Sequence, residues 1–133
     1  MARRGLAHLV AMLRAIPGLE ELAMTTNGTL LAAQAQALAE AGLDRVNISL
    51  DTLRPGRFRR ITRLGELKDA LAGIEAAEEA GLTPLKLNVV VMRGLNDDEV
   101  EELARLTLKH PWHVRFIEVM PLGSSFLWNE DLC

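Results

Sequence analysis

Apolar residues recur at helical spacing over 6–15, where Leu6, Leu9, Val10 and Leu13 fall on one stripe. The stretch 20–25 reads as a strand, and Asn27-Gly28 turns the chain after it. An Ala-rich segment over 31–40 has high intrinsic helix propensity. Residues 45–50, Arg-Val-Asn-Ile-Ser-Leu, alternate as a strand, and 57–62 and 67–80 follow as a short and a longer helix. The run 85–92, with Val89, Val90 and Val91 in succession, is patterned as a strand buried on both faces. Asn96 is placed to cap a helix over 97–108, and Glu99 stands at capping-box spacing behind it. A last strand covers 114–119.

Three junctions share one form: Pro17-Gly18-Leu19, Ala41-Gly42-Leu43 and Ala80-Gly81-Leu82. Gly42 and Gly81 sit where a helix ends in a left-handed residue, and the following Leu can close the cap. Lys109-His110-Pro111-Trp112 stops its helix with proline instead. This repeated helix–stop–strand rhythm predicts an α/β fold with four parallel strands. Right-handed crossovers place the helices on one face if the sheet curls toward a barrel. Four strands cannot close an ordinary βα barrel, so the pattern reads as part of something larger.

Composition adds exclusions. Fifteen Lys and Arg stand against eighteen Asp and Glu, a net charge of −3, which argues against a nucleic-acid partner held by bulk charge. No apolar run has the length needed to span a membrane, and Met1-Ala2-Arg3-Arg4 leads into an amphipathic helix, so the expected location is cytoplasmic. The single cysteine, Cys133, cannot alone form a disulfide or hold a zinc ion or an iron–sulfur cluster, so no metal ligands are assigned. Two unpaired sheet edges favour association into a homo-oligomer.

Candidate chemistry lies at the carboxyl ends of the strands, where parallel sheets gather their ligands. Thr25-Thr26-Asn27-Gly28 reads either as ligand donors or as a turn with an N-cap. Ser49-Leu50-Asp51 has the same two readings, while Asn47 and Ser49 share one side of their strand. Lys86 and Asn88 interrupt the most apolar strand on a common face. A lysine there is costly unless its ammonium reaches water or an anion, so it either snorkels or projects toward a carboxylate or phosphate. Arg115 and Glu118 have opposite parity, and one of them is expected in a structural ion pair. His8, His110 and His113 lack ligand spacing, and Arg54, Arg57, Arg59, Arg60 and Arg63 read as a solvated basic face.

Five segments together go further. Thr25-Thr26-Asn27-Gly28, Gly42 to Asp51, Lys86-Leu87-Asn88-Val89-Val90, Arg93 to Glu99 and Arg115 to Gly123 occur in an order and at a spacing that resembles the radical SAM family of GTP 3′,8-cyclases. The resemblance implies a partial parallel (βα) barrel of radical SAM type, four strands with outer helices. Residues 1–123 would be its C-terminal portion and 124–133 a divergent or disordered tail. It implies S-adenosylmethionine (SAM) and 4Fe–4S clusters as cofactors of the intact enzyme, with GTP and SAM as its small-molecule partners. In that family a cluster cleaves SAM to a deoxyadenosyl radical that abstracts hydrogen from the GTP ribose, and the ribose then joins the guanine in molybdenum cofactor biosynthesis. Carried over by residue, Thr25 and Lys86 are GTP contacts, Ser49 and Met120 are SAM contacts, and Arg115 is a catalytic candidate near the reacting centre. The family's three-cysteine loop would precede Met1 and its second cluster's cysteines would follow Cys133. The chain alone is therefore expected to be inactive.

Overall fold

A computed structural model describes residues 5–119. The expectations for Met120, for 121–123 and for the 124–133 tail lie outside the described residues. The elements run α1 (Leu6–Arg14), β1 (Ala23–Thr26), α2 (Ala35–Glu40), β2 (Arg45–Ser49), α3 (Pro55–Thr62), α4 (Leu67–Glu79), β3 (Lys86–Val91), a 3₁₀ turn (Asp97–Glu99), α5 (Val100–Lys109) and β4 (His113–Glu118). All three strand pairings are parallel and the order is β1-β2-β3-β4, the α/β arrangement expected of a partial barrel.

Sequential order with crossovers of one hand brings the helices to a single face. On that face Val46, Ile48 and Leu87 pack against Leu31, Leu38, Phe58, Ala70 and Ile74. Each fully buried aliphatic side chain contributes about 1.5–3 kcal/mol, so this one-sided core carries the fold. Strand parity sends Thr25, Asn47, Ser49, Lys86, Asn88 and Arg115 to the other face.

The two glycine stops close as Schellman motifs. Gly42 N–H donates to the Ala39 carbonyl and Leu43 N–H to that of Leu38; Gly81 and Leu82 repeat this with Glu78 and Ala77. Gly42 has φ of 101°, and its carbonyl accepts from Arg14 Nε at 2.8 Å, tying the end of α1 to the same turn. Arg14 also pairs with Asp44.

Most boundaries shift by one or two residues, α3 for instance starting at Pro55 instead of 57, and three further differences have a local cause. The strand expected from residue 20 joins the ladder only at Ala23, because Leu22 N–H donates to the Asp44 carboxylate at 2.7 Å. The 31–40 helix begins at Ala35, since Gln34 at φ −128° breaks the helical path while Leu31 is buried in a preceding turn. The capping box does not form. Asn96 makes no side-chain cap, and Glu99 is fully buried among other partners. Among the described residues, no helix is long and apolar enough to cross a membrane.

Candidate functional site

The sheet register builds in rows the face that the described helices leave uncovered. Thr25, Asn47, Lys86 and His113 are successive Cα partners across all four strands. Two residues further on, Ser49, Asn88 and Arg115 form the next row. Four of the five residues singled out from the sequence, Thr25, Ser49, Lys86 and Arg115, therefore share one face within two adjacent rows. Met120 lies outside the described residues.

A chain of hydrogen bonds orients the first row. Glu21 accepts both Nε and Nη2 of Arg45 at 2.7 and 2.9 Å, Arg45 Nη1 donates to Asn47 Oδ1 at 3.1 Å, and Asn47 Nδ2 donates to Thr25 Oγ1 at 3.4 Å. Thr25 thus keeps its own O–H to give to a ligand. The Arg45 bond holds the Glu21 carboxyl below its ordinary range, and the Lys86 ammonium adds to the effect. Lys86 is half-buried and has no ion-pair partner among the described residues. In the second row Ser49 and Arg115 are exposed, while Asn88 Oδ1 is buried with no hydrogen-bond partner. A buried acceptor left open in this way wants a donor.

Behind these rows the loops after β2 and β3 are knotted together. Asp51 does not cap α3. Its Oδ1 accepts Val90 N–H at 2.7 Å, continuing the ladder with a side chain. Asn96 Nδ2 donates to the carbonyls of Asp51 (2.7 Å) and Val90 (2.8 Å), and its Oδ1 accepts Met92 N–H at 2.7 Å. Glu99 accepts Thr52 Oγ1, Leu53 N–H and Arg57 Nη1 at 2.7, 2.7 and 2.6 Å. Sequence reasoning missed this knot, because Glu99 in the acidic run Asp97-Asp98-Glu99 carries the same local signal as a helix cap.

Burial opposes ionisation of Glu99, but the bonds from Thr52, Leu53 and Arg57 outweigh it and hold the carboxyl below its ordinary value. Asp44 is also lowered, by Leu22 N–H and then Arg14. Groups depressed in the folded state lend stability above the unfolded carboxylate range, near pH ~4, and lose it as the pH falls through the folded value. Asp51 acts in the opposite sense, since burial raises it and its contribution fades as pH rises. Urea unfolding between neutral and acid pH should therefore show stability falling below about pH 4. The Glu99→Gln variant should start less stable and show a flatter acid limb.

Three arginines of the expected solvated face and one histidine make structural contacts. Arg54 pairs with Glu102, Arg57 with Asp98 and Glu99, and Arg59 with Glu66. His110 stacks on Trp112 with ring centroids 3.8 Å apart. Neither Arg115 nor Glu118 has an ion-pair partner among the described residues, so the pairing expected of one of them is not found there. A cleft of about 330 Å³ beside Arg93, Asp97, Phe116 and Glu118 includes none of Thr25, Ser49, Lys86 or Arg115.

Residues 1–107 match the model of the radical SAM superfamily. The chain belongs to that superfamily. It is 59% identical over 125 residues to a GTP 3′,8-cyclase of Heliobacterium modesticaldum, covering 94% of this chain and 38% of the relative. With the GTP 3′,8-cyclase of Pelotomaculum thermopropionicum the identity is 55% over 128 residues, covering 96% and 39%. With that of Geobacter sulfurreducens it is 52% over 130 residues, covering 98% and 40%. This radical SAM chain thus spans well under half the length of the curated relatives it matches.

Radical SAM membership brings SAM and a 4Fe–4S cluster into question for these residues. The open Asn88 Oδ1 and the exposed Ser49 hydroxyl suit a ligand carrying hydroxyl and amino donors, as the nucleoside of SAM does. The described residues of this radical SAM chain contain no cysteine and no group of three or more His, Cys, Asp or Glu able to hold a metal ion. They do not fit an iron–sulfur cluster, and cluster chemistry is not assigned to them.

Proposed function

We propose that this chain supplies the substrate-binding and SAM-binding wall of a GTP 3′,8-cyclase, a radical SAM lyase of molybdenum cofactor biosynthesis. Lys86 and Thr25 bind GTP, Ser49 and Met120 bind SAM, and Arg115 lies near the reacting centre. The register that sets Thr25, Lys86, Ser49 and Arg115 within two rows of one uncovered face is the observation that carries this reading.

When bound, SAM would supply a carbon radical for hydrogen abstraction, given one electron from a cluster held elsewhere in the whole enzyme and with methionine as the leaving group. The chain's own residues bind and orient. The Lys86 ammonium meets a phosphate oxygen in a charge-assisted hydrogen bond, and the Thr25 hydroxyl, already accepting from Asn47, donates to the same ligand. Ser49 donates or accepts at a ribose hydroxyl, and Asn88 Oδ1 accepts beside it. Arg115 steadies negative charge near the reacting atoms with its guanidinium.

A chimaera tests the assignment. This chain replaces the matching segment of the Heliobacterium modesticaldum GTP 3′,8-cyclase, and GTP consumption is measured with reconstituted clusters. Activity within about tenfold of the parent is expected, with Ser49→Ala raising the SAM requirement and leaving the GTP requirement unchanged. A folded, cluster-loaded chimaera that consumes no GTP overturns the reading. The chain by itself should show no iron–sulfur absorbance after reconstitution.

A further inference from the structure

The loop knot contains the Arg93 to Glu99 segment, which the ligand assignment leaves without a role. Its bonds converge on the backbone just beyond the second row. Asn96 holds the Asp51 and Val90 carbonyls, each two residues past Ser49 and Asn88 respectively. Asp51 holds Val90 N–H, and Leu50 N–H donates to the Asn88 carbonyl at 3.0 Å. Glu99 then anchors Thr52 and Leu53 from a fully buried position.

A buried carboxylate is a poor device for stability alone, because desolvation consumes most of what its partners return. A fully satisfied buried network fixes one geometry among many compact ones. This network joins the loops after β2 and β3 at the end of the sheet where ligands gather.

We propose that Asn96 and Glu99 are positioning residues, acting through Asp51 and Thr52 to hold Ser49 and Asn88 side by side for a shared ligand. The proposal rests on the reading that this face binds SAM. Neither residue touches the ligand. Their effect is on the spacing of two side chains that do.

The test titrates the cluster-loaded chimaera with SAM well below the melting temperature of every variant. Asn96→Ala, Glu99→Gln and Thr52→Val should each weaken binding about tenfold, whereas Thr52→Ser, which keeps the hydroxyl, should stay within about twofold. Val10→Ala, a core truncation in α1, should lower the melting temperature without changing affinity. Knot variants that bind like the parent, or a Val10→Ala variant weakened as much as they are, overturn the proposal. If the parent chimaera takes up no SAM, the ligand reading falls, and amide hydrogen exchange decides the positioning claim by itself. Faster exchange at Leu50 and Val90 in the knot variants, with Val46 unchanged, supports it; exchange altered uniformly or not at all overturns it.

Discussion

Replacing Gly73 with alanine should cost about 3 kcal/mol or more and lower the melting temperature by roughly 10 °C or more. Gly73 lies inside α4, where alanine would ordinarily gain about 1 kcal/mol through helix propensity. Here the sign reverses. A Cβ at this position would fall well inside contact with the Gly28 carbonyl oxygen and 3.1 Å from Leu31 Cβ. Gly28 itself has φ of 79° and is wedged between Ile48 and Ala70, so the obstructing carbonyl has little freedom to retreat. Gly56, in the first turn of α3, supplies the contrast: nothing lies within 4 Å of its added Cβ. Gly56→Ala should be neutral or stabilising by up to about 1 kcal/mol. Thermal unfolding of the two variants decides it. A Gly73→Ala protein as stable as the parent would mean that α4 does not approach the β1–α2 turn so closely.

The second large effect is on binding. Lys86→Met should weaken GTP binding by about tenfold to a hundredfold, the range expected for losing one charge-assisted hydrogen bond to phosphate. It should leave the melting temperature within a few degrees of the parent. Lys86 gives up no ion pair among the described residues, and methionine reproduces its half-buried aliphatic stem between Asn47 and His113. Equilibrium titration with GTP alongside thermal melting separates the two effects. Unchanged affinity in a folded Lys86→Met protein would sink the phosphate role; lost affinity with an equally large loss of stability would make the lysine structural.

The sequence made the architecture legible through its stops. Gly42-Leu43 and Gly81-Leu82 announce the helix ends, and the backbone bonds that close them are local, so pattern alone suffices. Parity along each strand likewise placed Lys86 with Asn88 and Asn47 with Ser49 before any pairing was known. The relative register of the four strands was not legible, and that register is what brings Thr25 level with Lys86 and Ser49 level with Arg115. The knot was misread for the same reason. Asn96 and Asp51 are 45 positions apart, and a carboxamide serving distant carbonyls has no local signature distinguishing it from a cap. The pattern carries Leu22 into the strand, whereas its N–H is taken by the Asp44 carboxylate in place of a ladder carbonyl, which no local pattern shows.

The division between a helix-packed side and a bare polar side has an evolutionary corollary. Folding energy is drawn from Val46, Ile48, Leu87 and their helical neighbours, whereas Thr25, Ser49 and Arg115 lie exposed on the reverse of the same strands. Mutations on the reverse are thereby uncoupled from the cost of losing the scaffold. A combinatorial library at those three positions should retain the parent's cooperative melting in most of its members, leaving ligand preference free to drift while the sheet stays intact.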